Sequence, residues 1–338
     1  MFLLEKAIYR QNVPRVPVWM MRQAGRTDPE YRAYKVKDPR PLEQLFRDVQ
    51  ASVTLSLLPQ RIGVDAIIFY QDILTVLEHI GFMFHFNPGP TLAQPINSKK
   101  DIENIQLPEQ DLSVLMPYIP TTIKLLQQQL KDTLPVLGFA GAPMTLTAFL
   151  FAGKSPTTIE PLLQMARLEP DALHLLQQKL TQLTISYLNL QLDSGVLAVQ
   201  IFESLADKYP RDFYEKFVQP YHQQIFDALK HKNTILFCKE CTYLDLMVTS
   251  GAKVISVGKC LDIGHVANIC AKHGLAFQGN VDNQILHLGS RKDVEKAVKE
   301  CIAKSGKIGH ILNLNHGLIR TTPFENILAF VEAAKSLS

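Results

Sequence analysis

The chain has no tract of like charge, no low-complexity segment, no internal repeat and no linker-like stretch, so disordered and collagenous readings are excluded and one domain is preferred over two. Its net charge is only +3, too little to attract a polyanionic polymer, and nucleic acid is not an expected partner. Cysteine is sparse. Cys238, Cys241, Cys260, Cys270 and Cys301 form an odd set confined to the C-terminal half, which fits reduced thiols in a cytoplasmic protein better than a disulfide framework. No Gly-x-Gly-x-x-Gly follows an apolar run, which leaves a dinucleotide without support. The opening MFLLEKAIYRQ carries an acid and a lysine after four residues and is expected to be neither a signal nor a transit peptide. The uncharged stretch 133–153 is interrupted by Pro135, Gly138, Gly141 and Pro143, so it reads as a strand, a turn and a helix start rather than a membrane span.

With 338 residues, 46% of them hydrophobic, the chain is long enough for two domains or one large α/β barrel. Short β-branched or aromatic runs, each followed by a turn and a helix-period segment, decide between them. They fall at 16–21, 66–69, 136–139, 198–202, 234–237, 254–257, 276–278 and 310–312. Most are continuously apolar, as parallel strands covered on both faces are. The pattern predicts one (β/α)8 TIM barrel over residues 1–338, with an excursion at about 80–110 around Phe86-Asn-Pro-Gly-Pro90. Leu42, Leu45, Phe46, Val49 and Val53 at helical spacing predict a single crossover helix closed by Gly63. Leu173, Leu176, Leu180, Leu183, Tyr187 and Leu190 repeat as heptads, but Leu175, Ile185, Leu188 and Leu192 widen the stripe into that of a barrel helix. Later helices are expected at 262–273, 293–303 and 324–335, with Gly274 and Gly306 as C-terminal caps.

A barrel places function at the C-terminal ends of its strands. Those ends carry Arg22 and Arg26, Asp72, Gly141-Ala-Pro143, Glu203-Ser204, Lys239-Glu240, Gly279-Asn280 and Asn315-His316-Gly317. Between residues 22 and 40, six cations stand against three acids. Arg22-Gln23-Ala24-Gly25-Arg26 sets two guanidiniums around a glycine that lets the backbone pass close to a ligand, and guanidinium forks pair with carboxylate or phosphate. A multiply charged anion is the expected ligand; the bland alternative is a solvated basic face. Asp72 follows an apolar run, where a partly dry carboxylate can orient N–H donors or stabilise developing positive charge, or simply pair with Arg22 or Arg26. His316 is either an acid, base or anion donor, or a structural histidine. Two motifs are decoys. The segment from Ala148 to Ser155 nearly spells a phosphate loop but lacks its first glycine and runs into Pro156, and Cys238-x-x-Cys241 has no second Cys/His pair nearby, so no metal is expected.

Pro17-Val-Trp-Met-Met-Arg-Gln-Ala-Gly-Arg26 resembles the N-terminal signature of the uroporphyrinogen decarboxylase family. Asp65-Ala-Ile-Ile-Phe-Tyr-Gln-Asp72-Ile-Leu is similar to the family's second signature, and Gly138-Phe-Ala-Gly-Ala-Pro143, Gln200-Ile-Phe-Glu-Ser204, Gln278-Gly-Asn280 and Asn315-His-Gly317 match further blocks in order. The likeness spans nearly the whole chain. It implies a cofactor-free barrel, usually a homodimer, that removes four acetate carboxyls from uroporphyrinogen III to give coproporphyrinogen III, with neither a metal nor a membrane as partner. It also implies roles for residues. Asp72 would hold the pyrrole N–H groups and stabilise the cation formed on ring protonation; Arg22 and Arg26 would hold side-chain carboxylates, with Arg22 the favoured proton donor; Gln23, Ala24, Gly25, Lys35, Phe149, Ser204 and His316 would complete the binding site. Departures from the family pattern are Phe149 for a tyrosine, Lys35 for an arginine, Gln71 for a serine, Gly258-Lys259 for Asp-Trp, Asn283 for a proline and Asn315 for a glycine. Two other readings stay open: a cobamide-dependent methyltransferase, for which Phe237-Cys-Lys239 and His316 fall near the family's zinc positions without supplying its ligands, and a non-catalytic tetrapyrrole-binding protein.

Overall fold

Continuously apolar segments can be buried on both faces only inside a sheet that helices cover, and the chain builds such a sheet. The computed structural model describes residues 1–86 and 88–337; Asn87, inside the proline-glycine motif of the excursion, lies outside the described residues. The strands are β1 (Ile67–Ile68), β2 (Phe84–Phe86), β3 (Pro90–Leu92), β4 (Val136–Gly141), β5 (Ala198–Glu203), β6 (Thr234–Cys238), β7 (Val254–Val257), β8 (Ala276–Gln278) and β9 (His310–Ile311). Seven of them form one parallel sheet in the order β1-β4-β5-β6-β7-β8-β9, with helices in every connection, so each strand lies beside the next in sequence. β2 and β3 pair antiparallel as a separate hairpin between β1 and β4.

The first expected strand, 16–21, forms only a bridge between Val18 and Leu312. It nevertheless spans the gap between β9 and β1. On one side Trp19 N donates to Leu312 O and Leu312 N to Pro17 O; on the other, Asp65 N donates to Val18 O at 2.7 Å. Pro17 has no N–H for a ladder, and Val18 N donates to the Asp65 carboxylate at 2.8 Å instead of a strand carbonyl. Asp65 in turn takes both Arg15 nitrogens, at 2.6 and 2.7 Å. A side-chain clamp thus stands in for one rung of the barrel.

The single crossover helix expected before Gly63 is two, Leu42–Arg47 and Val49–Leu57. Asp48 divides them, accepting from Ala51 N at 2.9 Å as cap of the second. The heptad-like segment is one helix, Pro170–Asp193. The uncharged stretch 133–153 is split between β4 and the helix Pro143–Ala152, and among the described residues no helix is long and apolar enough to cross a membrane. That helix ends at Gly153, with φ of 63°, so Lys154 and Ser155 follow a helix C-terminus, where the backbone presents no N–H groups to a phosphate. Inside the barrel lies a buried polar layer: Trp19 Nε1 donates to Gln278, and Gln278 Nε2 donates to Gln200 Oε1 and Ser256 Oγ, each at 2.9 Å.

Candidate active site

Two residues further along β5 from Gln200, on the same face, is Phe202, the start of the layer above the polar one. Phe69 just after β1, Phe139 two residues before the end of β4, and Phe202 and Phe237 one residue before the ends of β5 and β6 have successive ring centroids 5.6, 5.7 and 5.6 Å apart, and His316 continues the arc 5.9 Å from Phe237. These rings floor a cavity of about 590 Å³ at the strand ends. Arg22, Ala24, Gly25, Arg26, Asp72, Ser204 and His316 all line it. A larger groove, about 1130 Å³, lies between the segment Leu107–Ser113 and the helix Pro170–Asp193, and contains none of these residues.

Arg22 has a left-handed backbone, φ 63°, and its side chain lies across Gly317, where a Cβ would come within 2.5 Å of Arg22 Cδ. Only glycine leaves that path open. Arg22 meets solvent in the cavity but is otherwise crowded by protein; this desolvation, with the charge of Arg320 second, lowers its pKa from the usual guanidinium value. Arg26 sits in a turn closed by Asp28 N donating to Gly25 O, and Asp28 then caps the helix Pro29–Lys37 and pairs with Arg61. Among the described residues the guanidiniums of Arg22, Arg26 and Arg320 make no hydrogen bond or ion pair, which leaves three forks for a ligand.

Asp72 closes the turn that follows β1. Its Oδ1 accepts from Leu74 N and from Thr75 N at 2.9 Å, and its Oδ2 accepts from the Thr75 hydroxyl. Burial pushes its pKa above the usual carboxylate value, against the pull of those donors and of Arg47. Beside it, Tyr70 shares a 2.8 Å hydroxyl contact with Tyr31, and both line the cavity. Ser204 is held from behind. Its N–H donates to Thr145 Oγ1 at 2.8 Å, and Thr145 Oγ1 and Tyr209 OH donate at 2.5 and 2.9 Å to Glu203, which is wholly buried against His222. His316 is pushed down to about 4, first by burial and then by Arg22 and Lys239, so its imidazole is neutral at pH 7.

Three expected residues lie elsewhere. Gln23 is buried, its amide donating to Ala66 O at 3.0 Å and accepting from Met20 N, so it ties the first segment to β1. Lys35 lines an adjoining cleft with Arg26, Tyr31, Arg32 and Arg40, and donates to Arg40 O. Phe149 packs edge-on against Phe84 of the hairpin, 6.3 Å between centroids, outside the cavity lining. Conversely, the four phenylalanines, Tyr31, Tyr70 and Arg320 are cavity residues that the motif reading passed over. Each carried a signal: the phenylalanines end four of the expected strands, and the others lie within four residues of a recognised position or just beyond.

The chain matches the uroporphyrinogen decarboxylase (URO-D) family over residues 2–337. It is 34% identical over 337 residues to the uroporphyrinogen decarboxylase of Geotalea daltonii, covering 98% of this chain and 97% of that one. It is also 34% identical over 346 residues to that of Coxiella burnetii, covering 98% and 94%. A solved methyltransferase from Methanosarcina mazei shares the fold, with a TM-score of 0.83 over 99% of both chains at 21% identity. Similarity at this level over nearly the whole chain makes it a member of the uroporphyrinogen decarboxylase family.

Proposed function

We propose that this protein decarboxylates uroporphyrinogen III to coproporphyrinogen III, without cofactor, in porphyrin and haem biosynthesis. The observation that carries the reading is one cavity with three guanidiniums at its wall that have no partner among the described residues, one desolvated carboxylate and an aromatic floor. The substrate has eight carboxylates for Arg22, Arg26 and Arg320 to pair with, and an inward-facing pyrrole N–H for the acceptor position of Asp72 that Leu74 N, Thr75 N and the Thr75 hydroxyl leave free. Protonation of a ring carbon next to the acetate spreads positive charge to the pyrrole nitrogen, where Asp72 stabilises it. The acetate C–C bond then breaks, its electron pair moves into the ring and neutralises the cation, and carbon dioxide leaves. A second proton delivered to the exposed methylene carbon, with loss of the first from the ring, leaves a methyl group. Arg22, the guanidinium with a lowered pKa, is the favoured donor; Ala24, Gly25, Ser204 and His316 contact the substrate.

Residues 1–338 act as one barrel domain with its excursion at about 80–110, in the cytoplasm and as a homodimer; dimer and compartment rest on the family resemblance and on the reduced cysteines. Among the described residues no three or more His, Cys, Asp or Glu side chains gather as metal ligands, so zinc-assisted methyl transfer has no donor set to rest on. The test is anaerobic incubation of the purified protein with uroporphyrinogen III, followed by chromatographic counting of product carboxylates. Four carboxylates are expected in the product; retention of all eight would overturn the proposal and favour a tetrapyrrole-binding protein.

A further inference from the structure

The ends of β6, β7, β8 and β9 are joined by side chains that lie behind the cavity wall. Glu240 follows β6 with φ of 45°, a left-handed conformation rare for a residue with a Cβ. One oxygen of its carboxylate accepts from Asn315 Nδ2 at 2.8 Å and from Lys259 N at 3.2 Å; the other accepts from Cys260 N at 2.9 Å. Room for it exists because residue 258 is glycine, where a Cβ would lie 2.6 Å from Glu240 Oε2 and 2.7 Å from its Cα. Asn315 then accepts at Oδ1 from Asn283 N at 2.8 Å, and Asn283 Nδ2 donates to Gly317 O at 2.9 Å. Asn315 and Asn283 are only 5% and 9% exposed, so water does not readily replace these bonds.

The chain of bonds brackets His316, entering at Asn315 and leaving at Gly317, and Gly317 is the surface on which the Arg22 side chain lies. In space Asn315 and Asn283 are bonded in series to Glu240, and Gly258 leaves the room that Glu240 occupies. A loop built of Asn-His-Gly has little intrinsic rigidity, and a site residue placed on it needs supporting bonds to hold its geometry.

We propose that Glu240, acting through Asn315 and Asn283 and admitted by the space that Gly258 leaves, is a positioning residue that sets His316 and Arg22 in the cavity. Its kinetic consequence rests on the decarboxylase reading above; its geometric consequence does not.

The experiment compares the full-length protein with Glu240→Gln, Asn315→Ala and the double variant, measuring kcat and KM on uroporphyrinogen III, the melting temperature, and the His316 ring signals by ¹⁵N NMR. Each single variant is expected to lower kcat by about tenfold with a smaller change in KM, and the double variant to lose no more than either single one. The His316 signals should move in all three. Where Asn315→Ala does not fold, Asn315→Ser takes its place. Losses that multiply in the double variant, or a lower melting temperature with kcat and the His316 signals unchanged, would overturn the proposal. If the unsubstituted protein turns over no uroporphyrinogen, the decarboxylase reading fails by itself, and the movement or stillness of the His316 signals decides this one.

Discussion

Asp72 shows how a single residue can be both structural and poised. Its bonds to Leu74 N, Thr75 N and the Thr75 hydroxyl fix the carboxylate while using three of its roughly four acceptor positions, which leaves about one for a pyrrole N–H. Desolvation raises the free energy of the bare anion; in the proposed reaction a cation formed beside it would relieve that cost, and the interaction would strengthen as the reaction proceeds. Asp72→Asn keeps the shape and removes the charge. We expect kcat to fall by about 100-fold or more, with coproporphyrinogen affinity changed much less; steady-state kinetics and product titration measure the two. Unaltered turnover would take Asp72 out of the mechanism.

At the scale of elements, the segment that closes the barrel is held on its β9 side by the bonds of Pro17 O and Trp19 N to Leu312, and on its β1 side by Val18, whose N–H donates to the Asp65 carboxylate that Arg15 fixes. Asp65→Ala strands a backbone N–H and a half-buried guanidinium, a loss of about 2 kcal/mol after allowance for the partial exposure of the pair. A urea denaturation midpoint unchanged from the parent protein would show that the backbone bonds of the segment to Leu312 and to Asp65 N close the barrel without the side-chain clamp. The last strand makes a second prediction. His310 of β9, stacked 4.9 Å from Phe277 and bonded at Nε2 to Gly279 O, is pushed down to about 4 by burial, as is His316 just beyond the strand. Unfolded, both would take protons near 6.5, so as pH falls the unfolded chain binds them first. The stability that these neutral rings contribute is complete above about 6.5 and drains away between 6.5 and 4. The melting temperature should drop over that window, and His310→Gln should flatten the slope; an identical slope in that variant would assign the pH dependence elsewhere.

For the whole molecule, the modest net charge conceals an uneven distribution. Arg40 is neutralised by Asp38 and Asp48, Arg47 by Glu78 and Arg61 by Asp28, whereas Arg22, Arg26 and Arg320 converge on one cavity with no acidic partner among the described residues. Under the proposed function, this cavity is where the field of the protein would draw a polyanionic substrate. Raising ionic strength from about 0.05 to 0.3 M shortens the screening length and should raise KM for uroporphyrinogen several-fold while leaving kcat nearly constant. A salt-independent KM would mean that the guanidiniums do not carry substrate recognition.

The strand pattern was legible because it is local: seven of eight apolar runs form strands where the spacing predicts them, and the eighth fails for a reason written partly in the sequence, at Pro17, and partly outside the run, in the Asp65 carboxylate. The clustering of Arg22, Arg26 and Asp72 followed from the strand-end rule of the barrel. What the sequence could not contain was which neighbours face which space. Gln23 lies between the two arginines in the chain yet points into the core, and Phe149 continues a matching block yet packs on the hairpin. Phe69, Phe139, Phe202 and Phe237 read as ordinary core residues until the strands are laid side by side. Chain spacing sets periodicity, since that depends on backbone geometry within an element; the identity of a cavity wall depends on side chains more than a hundred residues apart, and only closure of the sheet brings them within contact distance.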